Sequence, residues 1–315
     1  MRLLLIGASG QLGRCIQANL AEYPQVSAVA LSNSRLLNLA SDDDVRGIVQ
    51  QFKPHYLVNA AAFNAVDAAE KQKAKAYQIN AVGPARLAKW AKAVGARLIH
   101  LSSDYVFDGL QASNQPQQTG LLAAYRPYRT SDAARPINAY GASKLAGECA
   151  VLNEDPNAWV IRTSWLFSEY GQNFVRTIIK RALAQQPLRV VSDQQSAPTS
   201  CHDLAHLLLH LLHPDAGLAP GLYHFAGQTV MSPWQWADAI LSSADEVLGS
   251  HYRQQLTAIT AAEFNADAIR PTYSAMDSTP LYQFLKQKGY VLKDFSLRLE
   301  ETVRNLLLNV QRHQG

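Results

Sequence analysis

The first twenty residues constrain this chain more than any other stretch. The apolar run Arg2–Ile6 passes directly into Gly7-Ala8-Ser9-Gly10-Gln11-Leu12-Gly13, and an amphipathic segment continues to Leu20. A short strand, a glycine turn and a helix with nothing between them form a unit suited to a dinucleotide. Each glycine answers a separate need: a tight turn at Gly7, close approach of a pyrophosphate at Gly10, and close helix-on-strand packing at Gly13. The helix start offers unpaired N–H groups and the positive end of its dipole. Gly7, Ser9, Gly10, Gln11, Leu12 and Gly13 are therefore the candidate cofactor contacts of this unit.

The next hundred residues repeat the alternation of strand and helix. Residues 26–31 read as a second strand, where an NAD-specific protein usually carries an acid for the ribose 2′-hydroxyl. Here Leu31 is followed by Ser32-Asn33-Ser34-Arg35, with no carboxylate to repel a 2′-phosphate and with Ser32 and Arg35 suited to bind one. NADPH is the expected cofactor, NADH the alternative. A helix over 42–52 has an acidic first turn that suits its dipole. A strand over 56–60 leads into Ala60, Ala61 and Ala62, small enough for adenosine to lie against the backbone. A long helix over 75–94 carries Asn80, and a fourth strand over 97–102 ends at Ser102, Ser103 and Asp104.

This pitch predicts an α/β fold, a Rossmann-type doubly wound parallel sheet with ligands outside the carboxyl ends of its strands. Residues 108–138 lose periodicity and read as a long loop, of the kind that is either a lid or disordered. Beyond it come a strand over 159–163, helices over 173–185 and 202–212, and between them a strand over 188–191. After Pro220 the units shorten: a strand over 222–225, a helix after Pro233, and an amphipathic helix ending near 310. The expected division is an NADP(H)-binding domain over 1–170, with 189–215 returning to it, and a smaller C-terminal substrate-binding lobe from 171–188 and 216–315.

Tyr140 and Lys144 stand four residues apart in Ile137–Glu148, which puts both on one face of a helix entered after Pro136. A free phenol, with a pKa of about 10, is a poor acid-base group at neutral pH. An ammonium beside it would pull that value toward the working range. In a dinucleotide-binding context the pair is a candidate catalytic centre.

Composition narrows the partners. The formal charge is +4 with Lys and Arg scattered, so nucleic acid is not implied. No apolar run could span a bilayer, and the N-terminus lacks the flanks of a signal peptide. Cys15, Cys149 and Cys201 are far apart in sequence, which suggests reduced thiols in the cytoplasm and no paired spacing for a metal.

Several segments, taken in order, resemble the dTDP-4-dehydrorhamnose reductases, a family of extended short-chain dehydrogenases. These are the glycine turn, Asn59–Ala62 with Ala65-Val66-Asp67-Ala68-Ala69-Glu70, Ser102–Gly109, Asn138–Glu148, Arg162–Trp165, Asn173-Phe174, Asp193–Thr199, Gly221–His224, Arg270-Pro271, Ser274 and Asp277. The resemblance covers essentially the whole chain. It implies a reductase that carries hydride from NADPH to the 4-keto carbon of a nucleotide-linked 6-deoxyhexose. Tyr140 would then give the proton, while Lys144 would tune Tyr140 and bind the nicotinamide ribose. The hydroxyl of Ser103, a position usually held by threonine in the family, would bond the keto oxygen. Asp104, Trp165, Asn173, Thr199 and Arg270 are the remaining candidate substrate contacts, with Gln194 a weaker one.

The chain departs from the family in a longer loop between Gly109 and Tyr140 and in Thr130, where glutamate is common. Both bear on the choice of sugar. The alternatives are the same chemistry on another nucleotide ketosugar, or a non-catalytic NADP-binding regulatory subunit. A homodimer is left open.

Overall fold

The computed structural model describes residues 1–31, 37–110, 125–213, 215–249 and 251–312, with the backbone alone at 28–31 and 309–312. Its first half runs β1 (Arg2–Ile6), α1 (Gln11–Asn19), β2 (Ser27–Leu31), α2 (Asp42–Phe52), β3 (Tyr56–Asn59), α3 (Val66–Lys71), α4 (Lys73–Tyr77), α5 (Gly83–Ala93) and β4 (Arg97–Ser103). It continues through α6 (Ala139–Glu154), β5 (Trp159–Thr163), β6 (Leu166–Phe167), α7 (Phe174–Leu183), β7 (Leu188–Val191), β8 (Thr199–Ser200), α8 (Cys201–Leu211) and β9 (Gly221–His224). Last come α9 (Pro233–Leu248), β10 (Leu256–Ile259), α10 (Ala261–Phe264), α11 (Thr279–Gln287) and α12 (Phe295–Arg312).

Six of these strands form one sheet in the order β2-β1-β3-β4-β5-β9, all neighbours parallel. The strands read as unbroken apolar runs because both faces are covered. Leu3 and Leu5 point to the face packed by α1 and α8, whereas Leu4 and Ile6 point to the face packed by α2 and α5. The chain leaves β1 toward β2 on one side and enters β3 on the other, so the crevice at their carboxyl ends is the switch point of the sheet. A second core lies around α7, α9 and α12, with Ile178, Trp236, Ile240 and Val303 buried in it.

Several expectations are corrected. The helix over 75–94 is interrupted: α4 passes through a π turn at Gln78–Val82 before α5 begins. Pro84 has no N–H to give to the carbonyl of Asn80, and the helix widens there. That turn lets α6 come close, since a Cβ on Gly147 would lie 2.0 Å from the Asn80 carbonyl oxygen.

The boundary of the smaller lobe also moves. β9, inside the 216–315 span, hydrogen-bonds along β5 as the sixth strand of the main sheet, and β7 pairs instead with β10. As an edge strand that is only half buried, β9 lacks the continuous apolar signature of its neighbours. Of the long loop, residues 125–138 are described: Tyr128 donates its N–H to the Ala275 carbonyl, and its own carbonyl accepts the Asp277 N–H. Residues 111–124, like the expected 2′-phosphate contacts Ser32 and Arg35, lie outside the described residues. Among the described residues no helix is long and apolar enough to cross a membrane.

Candidate active site

The glycine turn meets the requirements of a phosphate cradle. Gly10 caps α1 in an extended conformation and no side chain bonds the first-turn N–H groups, which stay available. Gly7 has φ 83°, and a Cβ there would sit 2.7 Å from the Ala61 nitrogen. A Cβ at Gly13 would come 2.3 Å from the Gly7 carbonyl oxygen. The turn is thus wedged between β1 and β3, with Ala60, Ala61 and Ala62 beside it and Ser9 and Gly10 exposed at its tip. These residues fit a dinucleotide. Two expected contacts do other work. Gln11 accepts a hydrogen bond from Asn173 at 2.8 Å, linking the cradle to α7. Asn80 is fully buried and spends its amide on the Phe63 N–H (2.7 Å), the Phe63 carbonyl (3.0 Å) and the Ser143 hydroxyl (2.9 Å). It holds the loop after β3 against α6 instead of facing a cofactor.

The candidate pair Tyr140 and Lys144 is set by the start of α6. Asn138, two residues after Pro136, is the cap, accepting from the Gly141 N–H at 2.8 Å. Glu70 accepts from the Ala139 N–H at 2.7 Å, placing a carboxylate at the positive end of the helix. A Cβ on Gly141 would lie 2.0 Å from the Tyr105 carbonyl oxygen, so only glycine lets α6 rest on the turn after β4. In consequence Tyr140 meets Ser103 at the end of β4, the crevice that the glycine turn also faces.

The electrostatics differ from the expected tuning. Burial, with a smaller contribution from the nearby Asp104 carboxylate, pushes the Tyr140 phenol up to about 12, against the lowering effect of the Ser103 hydroxyl. Lys144 donates to the Leu101 carbonyl at 2.6 Å and is itself buried, which brings it down to about 8 despite Glu148. Its ammonium is held by β4, and burial, not the lysine charge, sets the direction of the Tyr140 shift. Tyr140 is therefore protonated at neutral pH, the state a proton donor needs.

Ser103 donates to Asp104 (3.0 Å) and accepts from the Tyr105 N–H (3.1 Å). Two other expected substrate contacts face inward. Asp104 is buried and accepts from the hydroxyls of Ser103, Ser196 (3.1 Å) and Ser274 (2.6 Å); burial raises its carboxyl to about 6 against these three bonds. Thr199 is 1% exposed, donates to the Ala197 carbonyl at 3.3 Å and accepts from the Gly227 N–H at 3.1 Å. Both tie the chain segments that frame the site.

A cleft of about 700 Å³ takes in Trp165, Asn173, Gln194 and Arg270; Tyr140 and Ser103 do not line it, and it reaches them through Tyr105, the ring neighbour of Tyr140. Trp165 adopts φ 41° and stacks on Trp236 at 5.6 Å, with Phe174 stacked on Trp236 at 4.7 Å. Asn173 caps α7 through the Arg176 N–H at 3.0 Å. Tyr105, Phe174, Arg181, Arg189 and Trp236 line the same cleft without having been singled out as site residues from sequence. A signal for part of this set was present: Phe174, Thr177, Ile178 and Arg181 recur at helical spacing along one face of α7. An aromatic floor with arginines around it suits a flat ring joined to an anionic group.

Known proteins match along nearly the whole chain. Residues 1–308 match the family model described as the RmlD substrate binding domain. A dTDP-4-dehydrorhamnose reductase of Aggregatibacter actinomycetemcomitans is 34% identical over 288 residues, covering 90% of this chain and 92% of that protein. The crystal structure of a dTDP-4-dehydrorhamnose reductase from Clostridium acetobutylicum superposes with a TM-score of 0.83 at 32% identity, covering 98% of this chain and all of that one (100%). A dTDP-4-dehydrorhamnose reductase from Bacillus anthracis, solved in complex with NADP, gives a TM-score of 0.80 at 31% identity over 98% of this chain and 99% of that one.

Proposed function

Since the chain belongs to the dTDP-4-dehydrorhamnose reductase family, we propose that it reduces the 4-keto group of dTDP-4-dehydro-L-rhamnose with NADPH to give dTDP-L-rhamnose. NADPH, when bound, supplies the hydride. Along the glycine turn, Gly10 and the first N–H groups of α1 bind its pyrophosphate, and Ala60 to Ala62 leave room for the nucleoside. Ser103 and Tyr140 bind the keto oxygen, and Tyr140 passes its phenolic proton to that oxygen as negative charge develops. The Lys144 ammonium lowers the cost of the phenolate left behind and binds the nicotinamide ribose. Trp165 and Asn173 receive the nucleotide sugar in the cleft, with Arg181 and Arg189 facing its diphosphate.

One observation carries this reading: a half-buried, protonated phenol meets a hydroxyl at the end of β4, beside a large aromatic cleft whose lining includes its ring neighbour Tyr105 and Gln11 of the glycine turn. The test is loss of NADPH absorbance with dTDP-4-dehydro-L-rhamnose beside a panel of other nucleotide 4-ketosugars. Turnover of another sugar alone would move the substrate, and none at all would leave a regulatory NADP-binding protein. The reaction belongs in the cytoplasm, in keeping with three free cysteines.

The same roles fix two further outcomes. Only charged Lys144 can stabilise the phenolate, and its ammonium is lost as pH rises through about 8. The kcat of the wild type is therefore expected to be full below that pH and to fall above it, a limb missing from the residual activity of Lys144→Met. The second outcome concerns the cofactor. Arg35→Ala is expected to raise KM for NADPH about tenfold and leave NADH unchanged, because only the former carries the 2′-phosphate. Steady-state kinetics with both cofactors measures it, and an equal rise for both would remove Arg35 from that role.

A further inference from the structure

The short helix α3 carries a sequence segment to which the reduction gives no role, Val66-Asp67-Ala68-Ala69-Glu70. Glu70 caps the helix of the catalytic pair through the Ala139 N–H. Asp67 points the other way, into the segment that forms one wall of the cleft. Its carboxylate takes both terminal nitrogens of Arg270, at 3.1 and 2.7 Å, and the Ala268 N–H at 3.0 Å. The Arg270 guanidinium in turn lies close enough to the Tyr105 hydroxyl to perturb it, and both side chains line the cleft. The ring of Tyr105 meets Tyr140 edge to face, 5.8 Å between centroids and 81° between planes. We propose that Asp67 is a positioning residue for the reduction, holding Tyr105 against the proton donor Tyr140 through Arg270. This rests on the proposed reductase function.

Three features favour positioning over a simple tether. First, the backbone of Tyr105 is already fixed: its N–H bonds Ser103, and its carbonyl sits where Gly141 leaves no space. The side chain remains to be set, and the Arg270 guanidinium, itself fixed by Asp67, lies near its far end. Second, a bidentate carboxylate–guanidinium pair fixes direction as well as distance, while half-exposed pairs contribute little stability; the Asp67 side chain is 42% exposed. Third, the molecule contains its own control. Lys71, also on α3, pairs with Asp267 at 2.5 Å, joining the same two segments with no contact to Arg270. If tethering α3 to residues 267–270 were all that mattered, the two pairs would be interchangeable.

The test compares Asp67→Asn, Lys71→Ala, Tyr105→Phe and the double variant Asp67→Asn/Tyr105→Phe by steady-state kinetics. The free proteins are compared by NMR of ring-labelled tyrosine. Asp67→Asn is expected to lower kcat about tenfold, since a reacting group displaced by a fraction of an ångström costs rate before affinity, with KM for NADPH unchanged. Lys71→Ala should stay within about twofold of wild type, the scale of a solvent-exposed pair. In the Tyr105→Phe background, where the hydroxyl beside the Arg270 guanidinium is gone, Asp67→Asn should cost nothing further. The ring signals of Tyr105 and Tyr140 should move in Asp67→Asn and hold still in Lys71→Ala.

Equal losses in the Asp67 and Lys71 variants, or effects that multiply in the double variant, would overturn the proposal. Should the wild type turn over no ketosugar, the proposed function is what has failed. The NMR comparison then decides the positioning claim alone, and unmoved Tyr105 and Tyr140 signals sink it.

Discussion

Tyr140→Phe is expected to lower kcat on the order of a thousandfold, within the range that a positioned general acid supplies, while leaving the NADPH dissociation constant and the melting temperature near those of wild type. The effect is local. The substitution removes one oxygen and keeps the ring, so the edge-to-face contact with Tyr105 survives and no cavity opens. The lost group is the proton source nearest the developing alkoxide, and Ser103 cannot replace it: an aliphatic hydroxyl is a far weaker acid than a phenol and hydrogen-bonds the oxygen without giving up its proton. The measurement is single-turnover oxidation of NADPH in wild type and variant, with cofactor binding followed separately by fluorescence. A variant within tenfold of wild type would mean that the proton comes from elsewhere and that Tyr140 only shapes the pocket.

The arrangement behind that expectation was largely legible in the sequence, for identifiable reasons. Tyr140 and Lys144 share a helix, and i, i+4 spacing is a local property. The glycine turn is local too, and so are the strands of the main sheet, whose burial on both faces writes continuous apolar runs such as Leu3–Ile6. The features that could not be read depend on partners far along the chain. Asp104 looks like a site residue at a strand end, yet its carboxylate is claimed by Ser196 and Ser274, 92 and 170 residues away. Asn80 and Thr199 are spent the same way, on Phe63 and Ser143 and on Gly227. The charge state of the pair was hidden for a related reason. Spacing shows that Lys144 shares a face with Tyr140, but not that its ammonium is given to the Leu101 carbonyl. Burial, which governs both pKa shifts, is a property of the assembled fold.

The same helix also bears the largest stability effect expected in the molecule. Glu148 lies one turn beyond Lys144, and its two carboxylate oxygens take Arg162 of β5 at 2.8 and 2.7 Å. The side chains are only 3% and 4% exposed. A pair so deep does not add much net stability over apolar residues of the same shape, because removing both charges from water consumes most of their attraction. Breaking it from one side is different. Glu148→Ala leaves the Arg162 guanidinium buried between Phe107, 5.1 Å from its ring, and His224, without a counter-charge. The expected cost is about 3–5 kcal/mol, read as a fall in Tm on the order of 10 °C. The double variant Glu148→Leu/Arg162→Met, which removes both charges and keeps the volume, should recover most of that loss. Thermal unfolding of the three proteins separates the cases. A Glu148→Ala variant as stable as wild type would mean that water reaches Arg162, and a double variant no better than the single would mean that packing, not the unpaired charge, sets the cost. Glu148 also reaches the active site through Lys144, whose charged form it favours against burial. The Glu148 variants should therefore bring the alkaline fall in kcat to lower pH, even where the double variant restores the fold.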